Sequence, residues 1–130
     1  TKLDYPVDSG VFLRVGETGK SHQVTLDWRP DGQIGAIYLP WTQGGVHENP
    51  DGREHFNKGE WNDLRIRIEG NPAHIQAWLN GTKITDFQHT EETTKGVPGQ
   101  GGIALQVHPG ESYKAGNKVR FRNIRLRPLN

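Results

Sequence analysis

His108 and Asp27 are the side chains of this sequence whose settings best suit proton chemistry. His108 follows the apolar run Gly102 to Val107 (GIALQV) and opens a glycine-containing loop. A side chain at a strand end that opens into such a loop is well placed for ligand contact. Asp27 closes the alternating run His22 to Asp27 (HQVTLD), which sets a carboxylate on a strand. Glycoside hydrolysis by paired acids needs two carboxyl groups about 5–10 Å apart across a cleft. No second strand-borne acid stands out as a partner for Asp27, so a conventional two-acid glycosidase is not expected. His47, Glu48, Asp51, Glu54 and His55 lie in one loop, and such a group can bind a metal through imidazole and carboxylate. Their spacing matches no compact metal motif, and a solvated polar loop is the better reading. HExxH, P-loop and GxSxG patterns are absent, and the lack of cysteine removes thiol and disulfide chemistry.

These residues need strands to position them, and strands are what the sequence offers. Leu64, Ile66 and Ile68 alternate with Arg65, Arg67 and Glu69. Ile75, Ala77 and Leu79 alternate with His74, Gln76 and Trp78. That period of two marks half-buried strands. Asn80-Gly81 suits a two-residue type I′ turn, with a return strand from Thr82 to Phe87. The turn predicts Ala77 opposite Ile84 and Ile75 opposite Asp86, which puts Asp86 on the apolar face. His74, Gln76 and Trp78 then share the other face, where rings and hydrogen-bonding groups can receive a sugar. Trp78 can equally be a ring that only covers its neighbours.

Further strands are expected over residues 11–15, 22–28, 34–39 and 102–107, with a last one over residues 119–126. The last has an apolar phase slip that a bulge near Asn123 would absorb. Residues 40–60, 88–101 and 108–117 read as long loops.

The chain of 130 residues is long enough for one domain with one core. Seventeen glycines, eight prolines and no long helical stripe indicate an all-β sandwich or barrel. A formal charge of +1 gives no global field for nucleic acid. The run Lys118, Arg120, Arg122, Arg125, Arg127 alternates with apolar residues and reads as a strand's solvated face. No signal peptide or membrane span is visible. With no methionine and Thr1 in first place, the chain reads as a processed or trimmed product.

Seven stretches in series carry a family resemblance. They are DSGVFLR (Asp8 to Arg14), HQVTLD (His22 to Asp27), GAIY (Gly35 to Tyr38), KGEWNDLRI (Lys58 to Ile66), IQAWLNG (Ile75 to Gly81), GGIALQ (Gly101 to Gln106) and VRFRNIRLRPL (Val119 to Leu129). In this order and spacing the chain resembles the 3-keto-disaccharide hydrolase domain. The resemblance implies a concanavalin A-like, laminin-G-like jelly-roll sandwich of two antiparallel sheets, with a carbohydrate site on its concave face. It also implies a bacterial protein that is periplasmic or secreted. Domains of that family usually carry further strands before the first motif, so the chain reads as a single jelly-roll domain over residues 1–130, short of that first third. Arg14 matches the arginine that closes the first motif, with Asp8 where asparagine is usual. Gln23 stands where glutamate is usual, Thr25 where glutamine is usual, and Ala77 where many members carry histidine. Trp78, Gln106 and the position of His108 fit the pattern.

The resemblance implies cleavage of 3-keto-glycosides by elimination. A ketone at C3 acidifies the C2 proton, so the glycosidic bond can leave. Such a site needs a base, an acid for the leaving oxygen, and either a donor or a divalent metal ion for the enolate. His108 would be the base, Asp27 the acid or a metal ligand, and Arg14 the clamp. The alternative is a non-catalytic carbohydrate-binding module. Trp78, Tyr38 and Trp41 would stack on a glycoside or oligosaccharide, while Arg14, Gln23, Gln76 and Asp27 bond its hydroxyls. A laminin-G-like protein-interaction domain is a third reading, which a large exposed apolar patch would favour.

Overall fold

The computed structural model describes residues 1–108, 110 and 114–129. Its ten strands are β1 (Lys2–Leu3), β2 (Asp8–Val15), β3 (His22–Asp27), β4 (Ile34–Leu39), β5 (Gly44–His47), β6 (Leu64–Glu69), β7 (His74–Leu79), β8 (Thr82–Gln88), β9 (Gly102–Leu105) and β10 (Val119–Arg120). A single turn of 3-10 helix covers Gly52–His55, and no α-helix occurs among the described residues. Five strands form one antiparallel sheet in the order β5-β4-β3-β2-β9. Three form a second in the order β6-β7-β8, and β1 pairs with β10. This is the all-β sandwich that the residue pattern predicts, consistent with the jelly roll that the family resemblance implies.

The core lies between the two larger sheets. Val24, Leu26, Ile34, Ile37, Ile75, Ala77 and Leu79 are fully buried there. The sheets approach closely at Gly35, whose φ of +88° favours glycine. A Cβ there would sit 2.7 Å from both Ile84 Cδ1 and Thr85 Oγ1. Thr85 Oγ1 instead donates to the Gly35 carbonyl at 2.6 Å, and Asn49 Nδ2 donates to the Ile84 carbonyl at 2.6 Å. Buried polar groups thus find partners across the sandwich.

The structure departs from the expected pattern at three places. The 40–60 loop contains a strand, β5, on the edge of the larger sheet. The 119–126 strand is cut to Val119–Arg120, and Asn123 adopts φ 56°, a left-handed conformation that a straight strand cannot hold. In the hairpin, a bulge at Ala77/Trp78 shifts the register, so Ala77 faces Thr85 and Gln76 faces Asp86. A one-residue slip moves a side chain to the other face. Asp86 therefore lies on the exposed face, not the apolar one.

At one end of the core His22 and His89 are both buried, with His22 Nδ1 3.2 Å from His89 Nε2. Thr93 Oγ1 lies 3.1 Å from His89 Nδ1. Burial holds both pKa values down to about 4; His89 and Arg14 add to the effect on His22, and Arg14 adds to it on His89. In the unfolded chain these rings take up protons as pH falls below about 6.5, while the folded protein resists until about pH 4. The unfolded state binds more protons in that window, so stability is fullest above it and declines as pH falls through it. Thermal unfolding should drop by on the order of 5 °C between pH 7 and pH 4.5. The double variant His22→Gln, His89→Gln should show a shallower pH slope over the same range.

Candidate functional site

The hairpin of β2 and β3 builds the site. Its register sets Asp8 opposite Asp27, Gly10 opposite Thr25 and Phe12 opposite Gln23. The intervening residues Val11 and Leu13 face the core, so this second set points to the outer face of the five-stranded sheet. β4 adds Tyr38 beside Gln23. Gln23 lies across Gly10, where a Cβ would overlap its side chain, and its Nε2 donates to Gln106 Oε1 at 2.8 Å. The bare backbone at Gly10 is what lets the two amides meet.

At the end of this face four ionisable side chains converge. Arg29 grips Asp27 through two bonds, Nε to Oδ1 at 2.9 Å and Nη2 to Oδ2 at 2.8 Å. The same Nη2 lies 3.3 Å from Asp8 Oδ2. His108 Nε2 is 3.6 Å from that Asp8 oxygen. Asp8 is largely shielded, at 11 % side-chain exposure, and His108 is open at 38 %. Burial, then the neighbouring Asp27, raise the Asp8 pKa from its ordinary value, against the opposing pull of Arg29 and His108.

Arg29 is itself held from below. Arg53 Nη1 donates to the carbonyls of Arg29 and Gly32 at 2.5 and 3.1 Å, and its guanidinium lies 4.3 Å from the Trp28 ring centre. Beside Asp27 a shallow cavity of about 260 Å³ is lined by Thr25, Gln33, Tyr38, Gly45 and Glu48. Tyr38 is 45 % exposed at its rim.

The structure brings together Asp27, Gln23, Tyr38, Gln106 and His108 from among the expected site residues. Trp41 projects from the β4–β5 turn, 79 % exposed, beside Gly19 at the far end of the β2–β3 hairpin from Asp27. Arg14 sits at a bulge with φ 54° and donates through Nη1 to the Gly70 carbonyl at 2.7 Å, away from Asp27. His74, Gln76 and Trp78 occupy the outer face of the other sheet. There His74, Gln76 and Lys83 all bond Asp86, at 2.6, 3.1 and 2.7 Å, and Arg65 stacks on Trp78. Lys83, then His74 and Gln76, hold the Asp86 carboxyl well below its ordinary pKa. The core separates this face from Asp27.

Asp8 and Arg29 are the members that the sequence reading missed. Asp27 does have a strand-borne acidic partner, directly across the β2–β3 register. The signal was the hairpin: pairing DSGVFLRV against HQVTLD across the Gly16–Lys20 turn aligns the two acids. Among the described residues no three His, Cys, Asp or Glu side chains gather closely enough to hold a metal ion. Asp8 and Asp27 are bridged by a guanidinium instead, which is a poor fit for a cation site.

Residues 1–127 match the 3-keto-alpha-glucoside-1,2-lyase-like domain family. The chain belongs to this family. The match spans nearly the whole sandwich, including both strands that carry the paired acids. Membership makes the domain a carbohydrate-active one, with sugars as its ligands. No curated protein matches the chain. No helix among the described residues is long and apolar enough to cross a membrane.

The electrostatics of the acid pair give a direct test. Asp27→Asn removes the negative neighbour that helps raise Asp8, so the Asp8 titration midpoint should move down. Arg29→Met removes the opposing cation, so the midpoint should move further up. Carbon-13 chemical shifts of the Asp8 carboxyl followed against pH measure both.

Proposed function

We propose that the domain cleaves 3-keto-glycosides by elimination on the outer face of the five-stranded sheet. The observation that carries the proposal is the placement of Asp8. It is a shielded carboxyl with a raised pKa, 3.3 Å from Arg29 and 3.6 Å from the more exposed His108, and its cross-strand partner Asp27 lines an open cavity. A carboxyl whose pKa is raised keeps its proton to higher pH, which suits a general acid.

In this proposal His108 takes the C2 proton, and the electron pair of that bond forms the enolate of the C3 ketone. The Arg29 guanidinium supplies the positive charge that steadies the enolate oxygen. When the enolate collapses, the C3 carbonyl re-forms, a C1–C2 double bond appears, and the bond from C1 to the leaving oxygen breaks. Asp8 donates its proton to that oxygen. Water then adds at C1 and gives one proton to Asp8, while His108 returns its proton to C2, which completes a net hydrolysis and restores both groups. Asp27 serves by fixing Arg29 with two parallel bonds. Gln23 and Gln106 offer amide groups to sugar hydroxyls, and Tyr38 offers a ring face. Trp41 extends the same face toward the far rim. Arg14 is occupied with Gly70 and has no role in these steps. His74, Gln76 and Trp78 lie on the other outer face and are also left out. Work on glycosides in this way suits a periplasmic or secreted setting.

A second reading is a non-catalytic carbohydrate-binding module. It draws support from Arg29, which neutralises Asp27 and reaches Asp8 as well. Incubation with a 3-keto-disaccharide separates the two. The enzyme reading expects release of free sugar, with loss of about 100-fold or more in His108→Ala and in Asp8→Asn. If the wild-type chain binds the sugar through Tyr38 but releases none, the module reading stands.

A further inference from the structure

Rows of side chains cross the outer face of the five-stranded sheet, fixed by its register. Asp8 and Asp27 form the first row. Gly10 and Thr25 form the next, with Ala36 beside them on β4. Phe12, Gln23 and Tyr38 form the third. The second row is low. Gly10 has no side chain, and Thr25 Oγ1 is occupied with the Gln33 carbonyl and the Ala36 amide at 2.8 and 3.0 Å. A trough therefore runs along the strands between an acid row and an aromatic one. The cavity beside Asp27 lies in it, since Asp27, Ala36 and Tyr38 all line that cavity. At about 3.3 Å of rise per residue the two rows stand about 13 Å apart along β3, the span of roughly two linked pyranose rings.

The trough keeps polar atoms in reserve. The Gln23–Gln106 amide pair lies at Gly10, in its floor. Gln23 is 5 % exposed, yet its Oε1 accepts no hydrogen bond among the described residues, and Gln106 Nε2 donates none. The rings are in reserve as well. Lys58 lies over Tyr5, Arg65 over Trp78 and Arg122 over Trp61. Tyr38 and Trp41 have neither a ring nor a cation against them among the described residues. Gly45 stands opposite Tyr38 on β5 and brings no side chain to cover it. Trp41 lies beyond Tyr38, up to about 10 Å further along the chain. It is held out at φ 64°, a conformation that bulky residues seldom adopt. A disaccharide set at the acid row reaches Tyr38 and goes no further. Only a longer chain meets Trp41.

We propose that the domain takes a linear oligosaccharide of three or more units, with its 3-keto unit at the acid row and its later units against Trp41. The part of the chain that leaves is the part lying along the trough. Gln23 Oε1 and Gln106 Nε2 bond hydroxyls of the units over the floor, Tyr38 takes a ring face midway, and Trp41 selects for length. What happens at the acid row rests on the elimination reading. The length of chain that binds does not.

The probes are α-1,4- and β-1,4-linked glucose oligosaccharides of two and four units, each with and without a ketone at C3 of the non-reducing unit. Sugar release, binding by calorimetry and the indole N–H signals by NMR are read on the full chain. In the better-bound linkage the tetrasaccharide should exceed the disaccharide about tenfold in kcat/KM and in affinity. The tetrasaccharide should also shift the Trp41 indole signal, which the disaccharide leaves in place. Trp41→Asn keeps a residue that tolerates the left-handed backbone, and in it the ratio of tetrasaccharide to disaccharide should fall to near one. If no keto-sugar is cleaved but the tetrasaccharides keep this preference and the Trp41 shift, the elimination reading fails and the proposal stands. If both lengths are cleaved equally well, elimination stands and the proposal is overturned. It is overturned as well by a length preference that survives in Trp41→Asn, by a shift at Trp78 in place of Trp41, or by no binding in either series.

Discussion

The sandwich depends on a contact made by backbone. At Gly35 the two sheets approach so closely that a methyl group would strike Ile84 and Thr85. Thr85 and Asn49 use that approach to bond carbonyls across the interface. Stacked sheets ordinarily stand about 10 Å apart with side chains filling the gap. At Gly35 there is no room for a side chain, and polar groups that would be costly to bury alone satisfy one another. The clamp fixes β4 against β8. Through β4 it fixes β3, and through β3 the acid pair. A glycine near the edge of one sheet thus helps locate the chemistry at the middle of it.

A second bare position does for the site what Gly35 does for the core. Gly10 leaves room for Gln23 to lie flat and reach Gln106. The amide pair ties β3 to β9 across the width of β2. Arg29 does the same for the carboxylates, since one guanidinium spans Asp27 and Asp8. Each outer-face residue is therefore held by a neighbour on another strand. Such cross-strand support preorganises groups that would otherwise be free rotors on an exposed sheet.

The fold was legible in the sequence because the alternation is plain. HQVTLD, LRIRIE and HIQAWL announce strands with one face apolar, and the family motifs ordered them. The site was legible only in part. Asp27, Gln23, Gln106 and His108 could be named from their strands. Asp8 and Arg29 could not, because both depend on which residue of β2 stands opposite which residue of β3. Trp78 misled for a related reason. Alternation tells which residues share a face, but it does not tell which of two outer faces that is. The bulge at Ala77 was hidden as well, since Asn80-Gly81 predicts the tight turn and says nothing of an irregularity three residues away. The β1–β10 pair was equally out of reach, because it joins Lys2 and Leu3 to residues more than a hundred positions later.

The pairing of Asp8 with Asp27 has a consequence for how this chain can vary. The two acids meet only because the Gly16–Lys20 turn returns the chain with a fixed offset. An added or deleted residue in that turn would slide β2 past β3 by one place, swing one acid into the core and scatter the charged group. Surface turns usually absorb such length changes without harm. This one, at the opposite end of the hairpin from the acids it aligns, acts as a ruler, and related chains that keep Asp8, Asp27, Arg29 and His108 should keep its length as well.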